Sequence, residues 1–243
     1  MTSKGTITLV HLYPREMSIY GDLGNTRCLA ARIRRHGYDC VVHDHHPGMP
    51  FPETAHLLLG GGGQDSGQSR VEEDLLAIGD RLRGLAADGT PMLMICGMYQ
   101  MFGHTFLTHE GVEVDGLGIL DVTTRGQSTR MIGGVVLDTE FGPVVGFENH
   151  SGATVLSPGQ RPFGTVRVGH GNDGVSGTEG ARTHHVIGSY LHGPLLPANP
   201  AVTDALIAPA VELATGRPFE PEDTDDRLAD EARTRQIARL LAT

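Results

Sequence analysis

Short apolar runs alternate with amphipathic stretches through the first half of the chain. Ile7–Leu12 reads as a compact apolar strand. Asn25 is placed to cap a helix through "TRCLAARIRRH", which Gly37 ends. Asp39–His43 reads as a second strand, and His56–Leu59 as a third, halted by Gly60-Gly61-Gly62-Gly63. From Ser69 to Asp88, the residues Val71, Leu75, Ile78, Leu82 and Leu85 recur at steps of four and three, the spacing of one helical face. Met92–Ile95 is a fourth strand, and a helix starts near Gly97. This alternation predicts an α/β fold, with a mostly parallel central sheet and helices on both faces.

After residue 110 the pattern changes. "LGILDVTT", "MIGGVVLD", "VVGFEN", "TVLSP", "GTVRVGHG" and "HHVIGSYLHG" are short apolar runs separated by glycine turns, and predict added, partly antiparallel strands on the same domain. Asn199-Pro200 signals a capped helix running to about Thr215, and Thr224–Leu241 a charged amphipathic helix. We therefore expect one domain over residues 6–200, with residues 201–243 forming C-terminal helices packed on it.

Composition narrows the chemistry. The 243 residues suffice for a full hydrophobic core. The net charge of −10 and the absence of a basic run argue against nucleic acid as a partner. Lys4 is the only lysine, so a P-loop lysine is excluded and a self-contained nucleotide triphosphate site is disfavoured. No apolar run approaches the ~18 residues of a membrane span. Three cysteines without paired spacing predict a reducing cytoplasm rather than a disulfide framework.

Cys96 ends the apolar run of "MLMICGMYQMFG", at a strand-to-helix turn. Ligands of open parallel sheets sit beyond the carboxyl ends of the strands. There the following helix offers unpaired N–H groups and the positive end of its dipole, which favour a thiolate. Cys28 and Cys40, within a helix and a strand, read as core filler. A nucleophile needs a base, and His192 ends the run "VIGSYL" before Gly193-Pro194, again at a strand's carboxyl end. Gly62, in the glycine loop, and Gly97 are candidates for an oxyanion hole built from backbone N–H groups. His43, Asp44, His45 and His46 could be read as metal ligands, but adjacent side chains on a strand end diverge and no distant partner pair is evident, so no metal is expected.

These stretches resemble class I glutamine amidotransferases of the cobyric acid synthase-like (CobB/CobQ-like) branch. "ICGMYQMFG" is similar to that branch's cysteine elbow, "GFENHSG" and "GSYLHGPLLPANP" to its later signatures, and the likeness spans roughly Thr6 to Pro200. The resemblance implies Cys96 as nucleophile, His192 as base and, through "STRMIGG", Arg130 as the residue that holds L-glutamine; an arginine suits its α-carboxylate. Among 18 arginines, spacing alone would not single it out. Within the family, "SIYGDLGN", "LLLGGGGQD" and "GLGILD" are most similar to stand-alone glutaminase subunits. These serve MurT, a Mur-ligase-like synthetase. The resemblance implies that ammonia passes to a MurT-like partner, which would hold ATP and Mg and amidate D-glutamate in the lipid II stem peptide. No cofactor is expected on this chain. Service to a different synthetase, a catalytically silent binding module, and a cysteine hydrolase of the α/β-hydrolase type remain as alternatives.

Two departures shape the expectations. Met98 stands where the elbow commonly has a second glycine. Pro194 stands where many class I enzymes have a glutamate that orients the histidine. The chain is therefore expected to hold only a Cys–His dyad, completed by a carboxylate from the partner, with Glu148 as the internal alternative.

Overall fold

The computed structural model describes residues 3–63 and 65–242; Gln64, in the glycine-loop motif, lies outside the described residues. The first half contains strands Thr6–Leu12 (β1), Asp39–His45 (β2), Leu57–Gly60 (β3) and Met92–Ile95 (β4), and helices Leu23–Arg35 (α1), Asp65–Ala77 (α2), Gly79–Ala87 (α3) and Gly97–Phe102 (α4). Then come Thr105–Leu107 (β5), Glu113–Asp115 (β6), Val122–Thr139 (β7), Gly142–Leu156 (β8) and Gly164–Val168 (β9). Thr178–Glu179 (β10), Ala181–Thr183 (β11), Val186–Ser189 (β12) and Leu191–His192 (β13) complete the strands. Leu195–Ala198 (α5), Pro200–Thr215 (α6) and Arg227–Leu241 (α7) follow.

The central sheet has the order β11-β12-β4-β3-β1-β2. All its pairings are parallel except that of β11 with β12. β3 and β4 are buried at every position, as expected of strands covered on both faces. Helices α1, α5 and α6 pack together, while α2 packs against α3 and α4. The expected mostly parallel sheet is thus present.

The added, partly antiparallel strands are present and divide between two sheets. β11 and β12 extend the central sheet, whereas the others form a second one, ordered β10-β9-β7-β5-β6, with β8 on β7 and β13 on β8. Runs read separately belong to continuous strands: β7 takes in "MIGGVVLD", and β8 joins "VVGFEN" to "TVLSP". The β7–β8 ladder slips between Gly126 and Met131, and this break carries Arg130. The chain crosses from the central sheet to the second one at Tyr190, between β12 and β13.

Two helix boundaries also differ. The periodic stretch expected from Ser69 to Asp88 is split between α2 and α3, where Gly79 sits so close to Leu117 that a Cβ would come within 3.0 Å of its side chain. Helix α1 begins before Asn25, whose side chain instead accepts the N–H of Leu196 in α5. Asn199 precedes α6 as expected, yet its amide spans to β8, bonding the N–H and C=O of Val145. In both asparagines a distant backbone outcompetes the local cap. Helix α7 is anchored through Arg32 of α1, which pairs with Asp204 and Asp226, and through Leu240 over Gly134.

Candidate active site

Three buried side chains meet at the carboxyl ends of β1, β3, β4 and β12. Cys96 follows β4 and precedes α4. Its backbone has φ 52° and ψ −106°, a conformation that costs energy for any residue with a Cβ. The strain is held by neighbours: the Cys96 N–H donates to Ser189 O at 2.8 Å, and its C=O accepts from Gln100 N at 3.0 Å. Gly97 has no room for a side chain, since a Cβ there would lie 2.8 Å from Met17 Cε and 3.1 Å from Gly63 N. Met98 fills the space over Gly60, where a Cβ would come within 2.8 Å of the Met98 side chain. A large residue is tolerated after the elbow because the facing strand ends in glycine.

His192 is 1% exposed and approaches from β13. Its Nδ1–H donates to Asp22, at 3.1 Å to Oδ1 and 3.2 Å to Oδ2. That fixes the tautomer and leaves Nε2 buried without a hydrogen-bond partner. Cys96 and His192 crowd the same glycine: a Cβ on Gly62 would lie 2.7 Å from His192 Cε1 and 3.1 Å from Cys96 Cβ. Burial alone would lower the His192 pKa, but the Asp22 carboxylate and the Cys96 sulfur overcome it and raise the pKa to about 10. The edge of the Tyr20 ring closes over the imidazole, with centroids 4.9 Å apart.

The orienting carboxylate therefore comes from this chain, which overturns the expectation of a bare dyad completed by a partner. Asp22 precedes α1, just beyond the β1 loop, and is 3% exposed. Sequence reading missed its role, although "SIYGDLGN" was already part of the resemblance. Its position after a central strand was the available signal, the same one that picked out Cys96 and His192. Glu148, the internal alternative, is engaged elsewhere: its two oxygens accept the N–H and Nδ1–H of His170 and the N–H of Gly171.

Asp22 also corrects the oxyanion assignment. The Gly62 N–H donates to Asp22 Oδ2 at 2.7 Å, so it is not available to a substrate. Gly63 lines the cleft beside Cys96, and its nitrogen faces Gly97. As the first residue of α4, Gly97 has no intrahelical acceptor for its N–H. With Gly62 engaged, the N–H groups of Gly63 and Gly97 are the remaining candidates for an oxyanion hole.

The cleft has a volume of about 390 Å³ and brings Cys96 together with Arg130, Asn149, His150 and Tyr20. The Arg130 guanidinium donates to Asn149 Oδ1 through Nη2 at 2.7 Å and Nε at 3.1 Å, which holds it in the lining that it shares with the nucleophile candidate. Cys28 and Cys40 lie apart from the site, in α1 and β2, and burial pushes both thiols' pKa values up. Within the histidine run, His45 bonds Asp74 and His46 pairs with Glu16. Among the described residues no cluster of three or more His, Cys, Asp or Glu side chains is arranged to hold a metal ion.

Residues 8–200 match the CobB/CobQ-like glutamine amidotransferase domain family. The chain is 36% identical over 230 residues to the glutamine-hydrolysing lipid II isoglutaminyl synthase subunit GatD of Staphylococcus aureus (strain N315), covering 93% of both chains. It is 33% identical to the subunit of that name from Streptococcus pneumoniae (strain ATCC BAA-255 / R6), over 93% of this chain and 88% of that one. Cobyric acid synthase of Sphingopyxis alaskensis is 34% identical, over 70% of this chain but only 35% of the longer protein. Among solved structures, PurLQS from Thermotoga maritima superposes with a TM-score of 0.57 at 14% identity, covering 84% of this chain and 98% of that one, a likeness of fold alone. The chain belongs to the CobB/CobQ-like glutamine amidotransferases and is a glutamine-hydrolysing enzyme.

Proposed function

We propose that this chain is the glutaminase subunit of a lipid II isoglutaminyl synthase, passing ammonia to a MurT-like synthetase that binds ATP and Mg and amidates D-glutamate of the stem peptide. The observation that carries the chemistry is the convergence of Cys96, His192 and Asp22 around Gly62, with Cys96 and Arg130 lining one cleft. The near full-length likeness to the two GatD subunits supports the pathway. An intact triad weighs against a catalytically silent module. The three free cysteines suit the reducing cytoplasm, where glutamine and ATP are found, and no described helix is long and apolar enough to cross a membrane.

In this reading Arg130 takes the α-carboxylate of glutamine, which sets the carboxamide carbon against Cys96. His192 Nε2 takes the thiol proton before attack, and the imidazolium favoured by its raised pKa stays beside the sulfur as it attacks. The Gly63 and Gly97 N–H groups stabilise the tetrahedral oxyanion. His192 returns the proton to the departing ammonia, then activates the water that cleaves the glutamyl thioester. Asp22 holds the imidazole and stabilises its protonated form. None of these steps calls for a metal or organic cofactor on this chain.

Co-expression with a Mur-ligase-like protein tests the pathway. The two proteins should co-purify, and the pair should convert lipid II with glutamine and ATP into its D-isoglutamine form. Cys96 should also be labelled by a glutamine-mimicking electrophile in a glutamine-suppressible way. Ammonia delivered to another acceptor, with lipid II untouched, would reject the assignment to cell-wall synthesis while leaving the glutaminase in place.

The site also links proton binding to stability. The folded pKa of about 10 for His192 lies above its ordinary value of 6.5. The native state therefore holds this proton more tightly than the unfolded chain does. The resulting stabilisation is fully present below pH 6.5 and is lost as pH rises through about 10. The melting-temperature difference between wild type and His192→Ala should shrink over that range; a difference that stays constant would contradict the ion pair.

A further inference from the structure

Glu179 is fully buried, lies outside the cleft and takes no part in the mechanism above. Its Oε1 accepts the Tyr190 N–H at 2.6 Å, and both its oxygens meet Ser189 Oγ at 3.2 Å. Ser189 Oγ in turn accepts the Leu191 N–H at 3.1 Å. These contacts satisfy the N–H groups of Tyr190 and Leu191, both buried where the chain leaves β12 for β13.

The contacts continue into the elbow from two sides. Ser189 O is the acceptor that holds the Cys96 N–H. On the other side of Glu179, the Gly180 N–H donates to Asn172 Oδ1 at 2.9 Å. The same oxygen accepts the hydroxyl of Tyr99, on the helix that follows Cys96, at 3.2 Å. A closed circuit thus runs from Cys96 through Ser189, Glu179, Gly180, Asn172 and Tyr99 back to the elbow. His192 stands two residues beyond Tyr190, on the same clamped segment.

We propose that Glu179 is a positioning residue, whose carboxyl group clamps the crossover at Ser189–Leu191 and so sets the placement of His192 against Cys96. This rests on Cys96 and His192 being the catalytic pair. The groups facing the carboxyl are Glu148 from β8, Tyr99 from α4, Tyr190 from the crossover and His192 from β13. Burial, opposed by the bonds from Tyr190 and Ser189, raises the pKa of Glu179 to about 8. Up to that pH the side chain is a neutral carboxyl, which glutamine imitates in shape and lack of charge, with an amide NH₂ in place of the O–H. Above it a negative charge appears beside the imidazolium and stabilises it.

The test compares E179A and E179Q with wild type in the full chain, with kcat expressed per Cys96 that iodoacetamide can alkylate. A misplacement of about an ångström costs on the order of 100-fold in rate, so E179A should lose ~10- to 100-fold in kcat with KM nearly unchanged. E179Q should lose no more than a few-fold. The wild-type kcat profile should carry an inflection near pH 8 that E179Q lacks. E179A with kcat within about twofold of wild type, or a change confined to KM, overturns the proposal. If E179A does not fold, the E179Q profile decides: an inflection that persists overturns it, and one that vanishes supports it. Glutamine protection of wild-type Cys96 from alkylation is the control. Its absence would sink the catalytic pair itself, whereas its presence with an indifferent E179A would sink the clamp alone.

Discussion

Replacing Cys96 with alanine should lower glutamine hydrolysis by at least about 10⁴-fold, the scale seen when the nucleophile of a covalent mechanism is removed. The fold should survive. Alanine is smaller than cysteine and keeps the Cβ that the elbow already accommodates at φ 52°. The backbone bonds to Ser189 and Gln100 do not involve the side chain. Glutamate release should vanish while circular dichroism and melting temperature stay close to wild type. Serine should also fail, because a hydroxyl is far less ionised than a thiol at neutral pH. Near-normal turnover in the alanine variant would mean that another group attacks the carboxamide. Cys28 and Cys40 are poor substitutes, since both lie outside the cleft and burial disfavours their thiolates.

Replacing Asp22 with asparagine should cost about 10²- to 10⁴-fold in kcat, by inverting the imidazole rather than by removing its neighbour. Asp22 serves two donors, the Gly62 N–H at 2.7 Å and the His192 Nδ1–H at 3.1 Å. Asparagine has one carbonyl oxygen for both. If that oxygen stays with Gly62, the amide NH₂ faces Nδ1, which must then become an acceptor. The ring proton moves to Nε2, and His192 can no longer take the thiol proton from Cys96. Alkylation of Cys96 should slow in parallel with turnover, while KM for glutamine changes little. Measuring the variant alone and with its partner bears on the carboxylate's source. Full recovery on adding the partner would show that the partner supplies an orienting acid after all; a defect that persists confirms the internal triad.

The comparison of sequence with structure turns on the range over which each signal acts. The apolar runs at Ile7–Leu12 and Met92–Ile95, and the glycine stop after Leu59, record rules that act within a few residues, and the central strands follow them. Cys96 was legible because a thiol at a strand-to-helix turn is a local feature. His192 was legible because Gly193-Pro194 closes its strand. Arg130 was legible through resemblance alone, since its value comes from a slip between two strands that no local spacing records.

The sequence by itself determined the α/β class, the order of the parallel strands' segments along the chain and the family, and it singled out Cys96 and His192, which the fold brings to the same glycine. The tertiary structure alone decided which later strands join the central sheet and which form a second one, since separate sheets can share one alternation of apolar and polar residues. It placed Asp22, and not Glu148, against the base: 170 positions separate Asp22 from His192, and only the folded sheets bring them within 3.1 Å. It also withdrew Gly62 from the oxyanion hole, because a backbone N–H is free or engaged according to which acceptor reaches it, and that acceptor is placed by the packing of β1, β3 and α1.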